Sequence, residues 1–220
     1  MIDIRLQHPF TFVLSGPTGC GKTNFLTNLL INGDSLFNIK IDRLIYCYGV
    51  PLPETFNKLK NKYPHLELIH GLNPDLEFNP QLNNILILDD LMVDCVKSDV
   101  VLKYFTRGSH HESLSVILLT QNLFHQGTHS RTINRNSHYV AFFKNPRDQS
   151  SIEYLARQMY PKKSNILIEA YHDATSRPYG YIFIDLKQET NDDYRIRTNI
   201  LPSDPTPAVI YIPRNALSKI

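Results

Sequence analysis

An apolar run, FTFVLS at positions 10 to 15, passes directly into GPTGCGKT at 16 to 23, and a helix is expected behind it from Lys22 to Ile31. A buried strand, a glycine-rich turn and a helix in immediate succession leave the chain few folds to choose from. The eight residues fill GxxxxGK[ST] completely: Gly16, then Pro17, Thr18, Gly19 and Cys20, then Gly21, Lys22 and Thr23. Glycines let the backbone approach a phosphate without a Cβ clash, the N–H groups of such a turn wrap it, and the helix adds its positive end. Lys22 would reach the β and γ phosphates, and the Thr23 hydroxyl would ligate Mg²⁺. The expected nucleotide contacts run from Gly16 through Asn24, with ATP and Mg²⁺ as cofactors.

Four further apolar runs have strand length: RLIYCYG (43 to 49), NILILDD (84 to 90), LSVILLTQ (114 to 121) and HYVAFFK (138 to 144). They are continuous rather than alternating, which suits strands covered on both faces. Helices are expected between them. Pro53 to Lys62 opens on a proline, Asp94 to Tyr104 puts Val96, Val100 and Tyr104 on one face, and Arg147 to Met159 spaces Ile152, Leu155, Ala156 and Met159 by three and four. Strand and helix alternating in this way predict an α/β fold with a mainly parallel sheet. The proline-bearing segment from about 49 to 80 reads as a peripheral insertion. Ser164 is expected to cap a helix through about Ala174, followed by short strands in YGYIFIDL, YRIRTNI and AVIYIP. One domain over 1–220, with its core at about 10–186 and its last strands at about 179–212, accommodates all of this.

A phosphate cradle becomes a hydrolytic site only with carboxylates beside it, and NILILDD ends a buried strand with two. Asp89 would hold the magnesium, directly or through water, and Asp90 would polarise the attacking water. Gln121, ending LSVILLTQ, can reach between the γ-phosphate and that water, with Thr120 the weaker choice. Arg107, Arg131 and Arg135 are candidates to stabilise developing phosphate charge, within the chain or from a neighbouring subunit.

The 23 Lys and Arg against 21 Asp and Glu give a net charge of +2, too small for non-specific phosphate binding by charge alone. Nucleic-acid contact would need a local patch, for which Lys144, Arg147, Arg157, Lys162 and Lys163 are the candidates. Cys20, Cys47 and Cys95 are widely spaced and read as reduced thiols of an intracellular protein. Cys20, among phosphate-binding amides, is expected to have a lowered pKa. The pairs His110/His111 and His125/His129 do not match HExxH, so no zinc site is expected. No run approaches 18 apolar residues and the N-terminus carries charge early, so neither a membrane span nor a signal peptide is expected.

Together GPTGCGKT, ILILDD, FTRGSHHESLSVILLTQNLFHQG and HYVAFFKNPRDQSSIEYLARQMYP resemble the viral DNA-packaging ATPases of the FtsK/HerA superfamily. The likeness is nearest to the packaging ATPase of Polintons (Mavericks) and adintoviruses and more distant to the poxvirus type. It covers about Phe10 to Leu186, and the Arg-Gly-x-His step before the Gln-ending strand is its most specific part. It implies a ring of five or six subunits that threads double-stranded DNA into a capsid or portal vertex at the expense of ATP. It also implies a host-cell location, in the nucleus or at a virus assembly site, with association with the virion. Within it, Lys22 and Thr23 match the glycine-loop positions, Asp89 and Asp90 the magnesium and base positions, Gln121 the strand-end glutamine, and Arg107 the arginine that acts across the subunit interface. Asp90 stands where the wider superfamily commonly has Glu. Two other readings of the residues stay open: a P-loop kinase or nucleotide switch, and a non-catalytic subunit that binds ATP to stabilise an assembly.

Overall fold

The computed structural model describes residues 3–89, 91, 99–108, 113–122 and 128–212, without the side chains of 107, 108 and 128–130. Its strands are β1 (Thr11–Ser15), β2 (Arg43–Tyr48), β3 (Glu67–His70), β4 (Asn84–Asp89), β5 (Leu114–Thr120), β6 (Tyr139–Phe143), β7 (Tyr181–Asp185), β8 (Ile196–Thr198) and β9 (Val209–Ile210). They join in one sheet in the order β3-β2-β4-β5-β1-β6-β7-β8-β9. The six strands from β3 to β6 run parallel, and β7, β8 and β9 are added antiparallel. Every residue of β1, β4, β5, β6 and β7 is buried. That is why these strands read as unbroken apolar runs: helices cover both faces and no side needs to be polar.

The helices are α1 (Lys22–Ile31), α2 (Gly33–Leu36), α3 (Pro53–Lys62), α4 (Asp99–Lys103), α5 (Thr128–Arg135), α6 (Ser150–Met159) and α7 (Asn165–Ala174). Pleating sorts the strand side chains between two cores. Phe12, Leu14, Tyr46, Ile85, Ile87, Ile117 and Leu119 pack with Phe25, Leu26, Leu29 and Leu30 of α1 and with Phe56 and Leu59 of α3. Val13, Ile45, Leu86, Leu88, Val116, Leu118 and Val140 pack on the other face with Val101, Ile133, Ile152, Leu155, Leu167 and Ala170. The rings of Phe12 and Phe25 meet edge-on at 6.1 Å, which fixes α1 against the centre of the sheet.

Several expected elements shift. The 49–80 segment supplies α3 and β3, and β3 pairs in parallel with β2, so this segment forms a β-α-β unit at the sheet edge. Its short ELIH strand is only half-buried, which blurred the apolar run that marks the central strands. Of the helix expected from Asp94 to Tyr104, residues 94–98 lie outside the described residues, Asp99–Lys103 is helical, and Tyr104–Gly108 is a π turn. Tyr104, buried, and Val100, half-buried, pack on the same core as expected, joined there by Val101 and Phe105; Val96 lies outside the described residues. Helix α6 starts at Ser150 rather than Arg147, because the Asp148 carboxylate accepts the Ser151 N–H at 3.2 Å and the Ser150 hydroxyl at 2.6 Å, the work of an N-terminal cap. Ser164 precedes α7 with helical backbone and makes no side-chain cap.

The antiparallel annex is pinned by a buried ion pair. Arg197 Nη2 meets Asp185 Oδ2 at 2.6 Å with side chains 4% and 7% exposed. The same guanidinium donates to the Ile4 carbonyl at 3.0 Å and lies over the Phe183 ring at 5.0 Å. One arginine thereby ties β8 to β7 and to the N-terminal segment.

Candidate nucleotide site

Strand β5 lies between β4 and β1, so the glycine loop after β1, the carboxylate ending β4 and the polar residues ending β5 emerge side by side. Ser15 is level with Thr120, and Leu119 with both Leu14 and Asp89. This is the carboxyl end of the parallel sheet, where ligands of open α/β folds bind.

The loop is shaped by its glycines. A Cβ on Gly16 would stand 2.7 Å from Cys20 Sγ and 2.8 Å from Phe143 Cβ, so only glycine fits there. Gly19 and Gly21 have φ of 78° and 103°, the left-handed region that other residues avoid. Gly16 N–H donates to the Thr120 carbonyl at 3.2 Å, which anchors the loop to β5. Helix α1 then begins with no side-chain cap and no acidic residue in its first turn. Its leading N–H groups and the positive end of its dipole are thus left for an anion. Lys22 folds back over the loop, its ammonium donating to the carbonyls of Gly16 at 2.6 Å and Pro17 at 3.0 Å. A polyphosphate entering the curl would compete with these two carbonyls for the same cation.

Burial, opposed by the neighbouring Lys22 charge, pushes the Cys20 thiol up rather than down. The expectation of a lowered value fails because desolvation of the half-buried sulfur outweighs the Lys22 charge and the hydrogen bonds that favour the thiolate.

Asp89 is 7% exposed, and its Oδ2 accepts a 2.6 Å hydrogen bond from the hydroxyl of Tyr46 on β2. Burial, then the Asp89 charge, holds the Tyr46 phenol protonated well above its ordinary range, so it remains a donor. Tyr46 went unnoticed in the sequence because RLIYCY reads as one apolar strand; its hydroxyl, buried with the ring, was the available signal that a polar partner had to be near. Among the described residues no group of three or more His, Cys, Asp or Glu gathers as a metal cage. The half-buried Thr23 and the carboxylate of Asp89 instead fit a Mg²⁺ held largely by phosphate oxygens and water, the usual manner for this ion.

Gln121 is the first residue past β5, is exposed, and lines a narrow cleft with Gly16, Asn145 and Asp148. The structure therefore brings Gln121 to the glycine loop. Thr120 is buried and its hydroxyl donates to the Asn122 carbonyl at 3.1 Å. Asp90 lies outside the described residues, as do Cys95, His110, His111 and His125. For Arg107 the backbone alone is described, in the turn Tyr104–Gly108 that leads toward β5. Arg131 and Arg135 are exposed on α5, and Lys144, Arg147, Arg157, Lys162 and Lys163 are exposed at the ends of β6, α6 and α7. Lys144 follows β6, which runs parallel to β1, so it sits at the same end of the sheet as the glycine loop. No helix among the described residues is long and apolar enough to cross a membrane.

A second cavity, of about 670 Å³, opens beside the start of α1 between Gly21, Asn24 and Asn28 on one side and Arg177, Tyr179, Asn199 and Asp204 on the other. Nothing in the sequence drew attention to this second group, which comes from the loops flanking β7 and β8.

No family model and no curated protein matches the chain by sequence. Solved structures do. The genome packaging NTPase B204 from Sulfolobus turreted icosahedral virus 2, solved in complex with ATPγS, is similar with a TM-score of 0.54 at 13% identity, over 86% of this chain and 96% of that one. EssC (ATPases 2 and 3) from Geobacillus thermodenitrificans is similar with a TM-score of 0.51 at 12% identity, over 92% of this chain. This chain spans 39% of the EssC chain. With its mostly parallel sheet and a glycine loop leading from β1 into α1, the chain has the α/β fold of the P-loop NTPases.

Proposed function

We propose that the protein is an Mg²⁺-dependent ATPase that works as a DNA-packaging motor. The observation that carries the hydrolytic reading is the placement of β5 between the glycine-loop strand and the Asp89 strand. Gln121 lines the cleft beside Gly16, which supports reading it as the residue between a γ-phosphate bound over the loop and the attacking water. In this reading the N–H groups of Gly19 to Thr23 and the Lys22 ammonium hold the phosphates, and Tyr46 orients Asp89 toward the metal. Mg²⁺, when bound with ATP, would supply charge neutralisation at the phosphates. Asp90 polarises the water, and Gln121 orients it against the phosphorus.

The packaging role is supported by the residue blocks that resemble viral packaging ATPases of the FtsK/HerA superfamily, Polinton and adintovirus members included. Nearly whole-length likeness in fold to a viral genome packaging NTPase points the same way. On this reading the chain forms a ring of five or six subunits around duplex DNA at a capsid vertex, with Arg107 reaching the neighbouring subunit's nucleotide. Arg107→Ala would then bind ATP without hydrolysing it, and mixing it with Lys22→Ala would restore part of the turnover. Complete failure of complementation would remove the role across the interface.

The deciding experiment is phosphate release by the purified chain with ATP and Mg²⁺, with and without duplex DNA. Turnover is expected to rise with DNA and to fall about 100-fold or more in Lys22→Ala and in Asp90→Asn. Unchanged turnover in both variants overturns the assignment. Phosphate appearing on an acceptor instead of in water would select a kinase. An assembly that changes size with ATP while releasing no phosphate would select a non-catalytic subunit.

A further inference from the structure

The turn Arg177-Pro178-Tyr179-Gly180 is closed by the Gly180 N–H donating to the Arg177 carbonyl at 3.2 Å. Proline in its second position and φ of +61° in its third give it the type II form, which ordinarily takes glycine or asparagine third. This chain has tyrosine there. A bulky side chain in the left-handed region is costly and persists where its surroundings hold it or where the side chain is needed. Gly180 packs the turn closely against the end of α7, since a Cβ on it would meet the Ala174 carbonyl at 2.4 Å.

The strained residue buries little. Tyr179 is 69% exposed, the most exposed large hydrophobic side chain among the described residues. It stands over Gly21, the residue just before α1, with ring and Cβ atoms 3.4 to 3.9 Å from where a Gly21 Cβ would be. From there it lines the cavity of about 670 Å³ that Gly21 and Asn24 also line. The far wall is itself built: Asp204 accepts the Tyr181 hydroxyl at 2.6 Å and the Leu201 N–H at 2.9 Å, and Asn199 joins Arg177 at 3.2 Å to Thr206 at 2.6 Å. A nucleotide whose phosphates occupy the loop must carry its sugar and base out past the start of α1. An aromatic face beside a half-open, largely apolar space with a few fixed polar groups suits a nucleobase.

We infer that this cavity is the nucleoside pocket and that Tyr179 stacks on the base of the bound nucleotide. The inference rests on the glycine loop holding the phosphates, and it assigns the base to the loops around β7 and β8. Stacking is open to any base, so the tyrosine contributes affinity rather than choice between purines.

Two ligands separate the pocket from the phosphate cradle: ATPγS, which has a base, and inorganic tripolyphosphate, which has none. By calorimetry on the full chain, Tyr179→Ala is expected to weaken ATPγS binding about ten-fold and leave tripolyphosphate unchanged, while Tyr179→Phe retains both. Tyr179→Gly relieves the turn and removes the ring. If Tyr179 served only the turn, Tyr179→Gly would bind ATPγS as tightly as the unaltered chain, and that result overturns the inference. Lys22→Ala is expected to weaken both ligands. Should Lys22→Ala bind both normally, the phosphate cradle itself is misplaced and the nucleoside pocket falls with it. Normal loss in Lys22→Ala with no effect in Tyr179→Ala rejects the pocket alone.

Discussion

The Tyr46 hydroxyl donates to Asp89 Oδ2 at 2.6 Å across two parallel strands, from a side chain with no measurable exposure to one that is 7% exposed. The pair holds a carboxylate in a fixed direction at the mouth of the sheet. Tyr46→Phe removes the donor with little change in shape. It is expected to lower ATP turnover about ten-fold and raise the Mg²⁺ concentration needed for half-maximal rate, since such supporting partners typically matter 10- to 100-fold. A steady-state rate series in Mg²⁺ measures it, and unchanged curves would show that Asp89 is oriented by other groups.

Cys20 should be a slow nucleophile at neutral pH. With its pKa raised by burial above the ordinary 9.0, the thiolate is scarce at pH 7.5 and increases as pH rises past that value. Iodoacetamide labelling followed by peptide mass analysis should therefore be slow at pH 7.5, accelerate in alkali, and slow again when ATP covers the loop. Fast labelling at pH 7.5 that ignores ATP would contradict both the burial and the site.

Gly16→Ala should destabilise the protein by about 1–3 kcal/mol, because its Cβ must displace both the Cys20 sulfur and the Phe143 Cβ. Gly19→Ala meets no atom within 4 Å and bears only the left-handed backbone cost, about 1–2 kcal/mol. Urea unfolding of the two variants tests the difference in cause: adding Cys20→Ala should relieve part of the Gly16→Ala loss and none of the Gly19→Ala loss.

Arg197→Met leaves the Asp185 carboxylate buried without its ion partner and should cost about 3–5 kcal/mol. The double variant Asp185→Leu/Arg197→Met removes both charges and should recover most of that loss. Equal midpoints in urea for the single variant and the unaltered chain would show that water reaches the pair.

Much of the central fold was legible, for a physical reason. Strands buried on both faces have no polar side to interrupt them, so FTFVLS, NILILDD and LSVILLTQ stood out, and α1 and α3 have the expected bounds. Strand β3 was less legible because an edge strand is half wet. Gln121 could be picked as a strand-end residue, but its place beside the glycine loop follows from β5 lying between β4 and β1, an order no local pattern encodes.

The sequence by itself determined that a phosphate-binding turn joins a buried strand to a helix, since glycine spacing and Lys22 are local chemistry. Tertiary structure decided the rest of the site. Tyr46 meets Asp89 from 43 residues away, and Tyr179, just before a strand two places from β1, stands over Gly21. Burial reversed the expected shift of Cys20. Desolvation and long-range contact depend on what packs around a residue, and that is fixed only when the strands take their places.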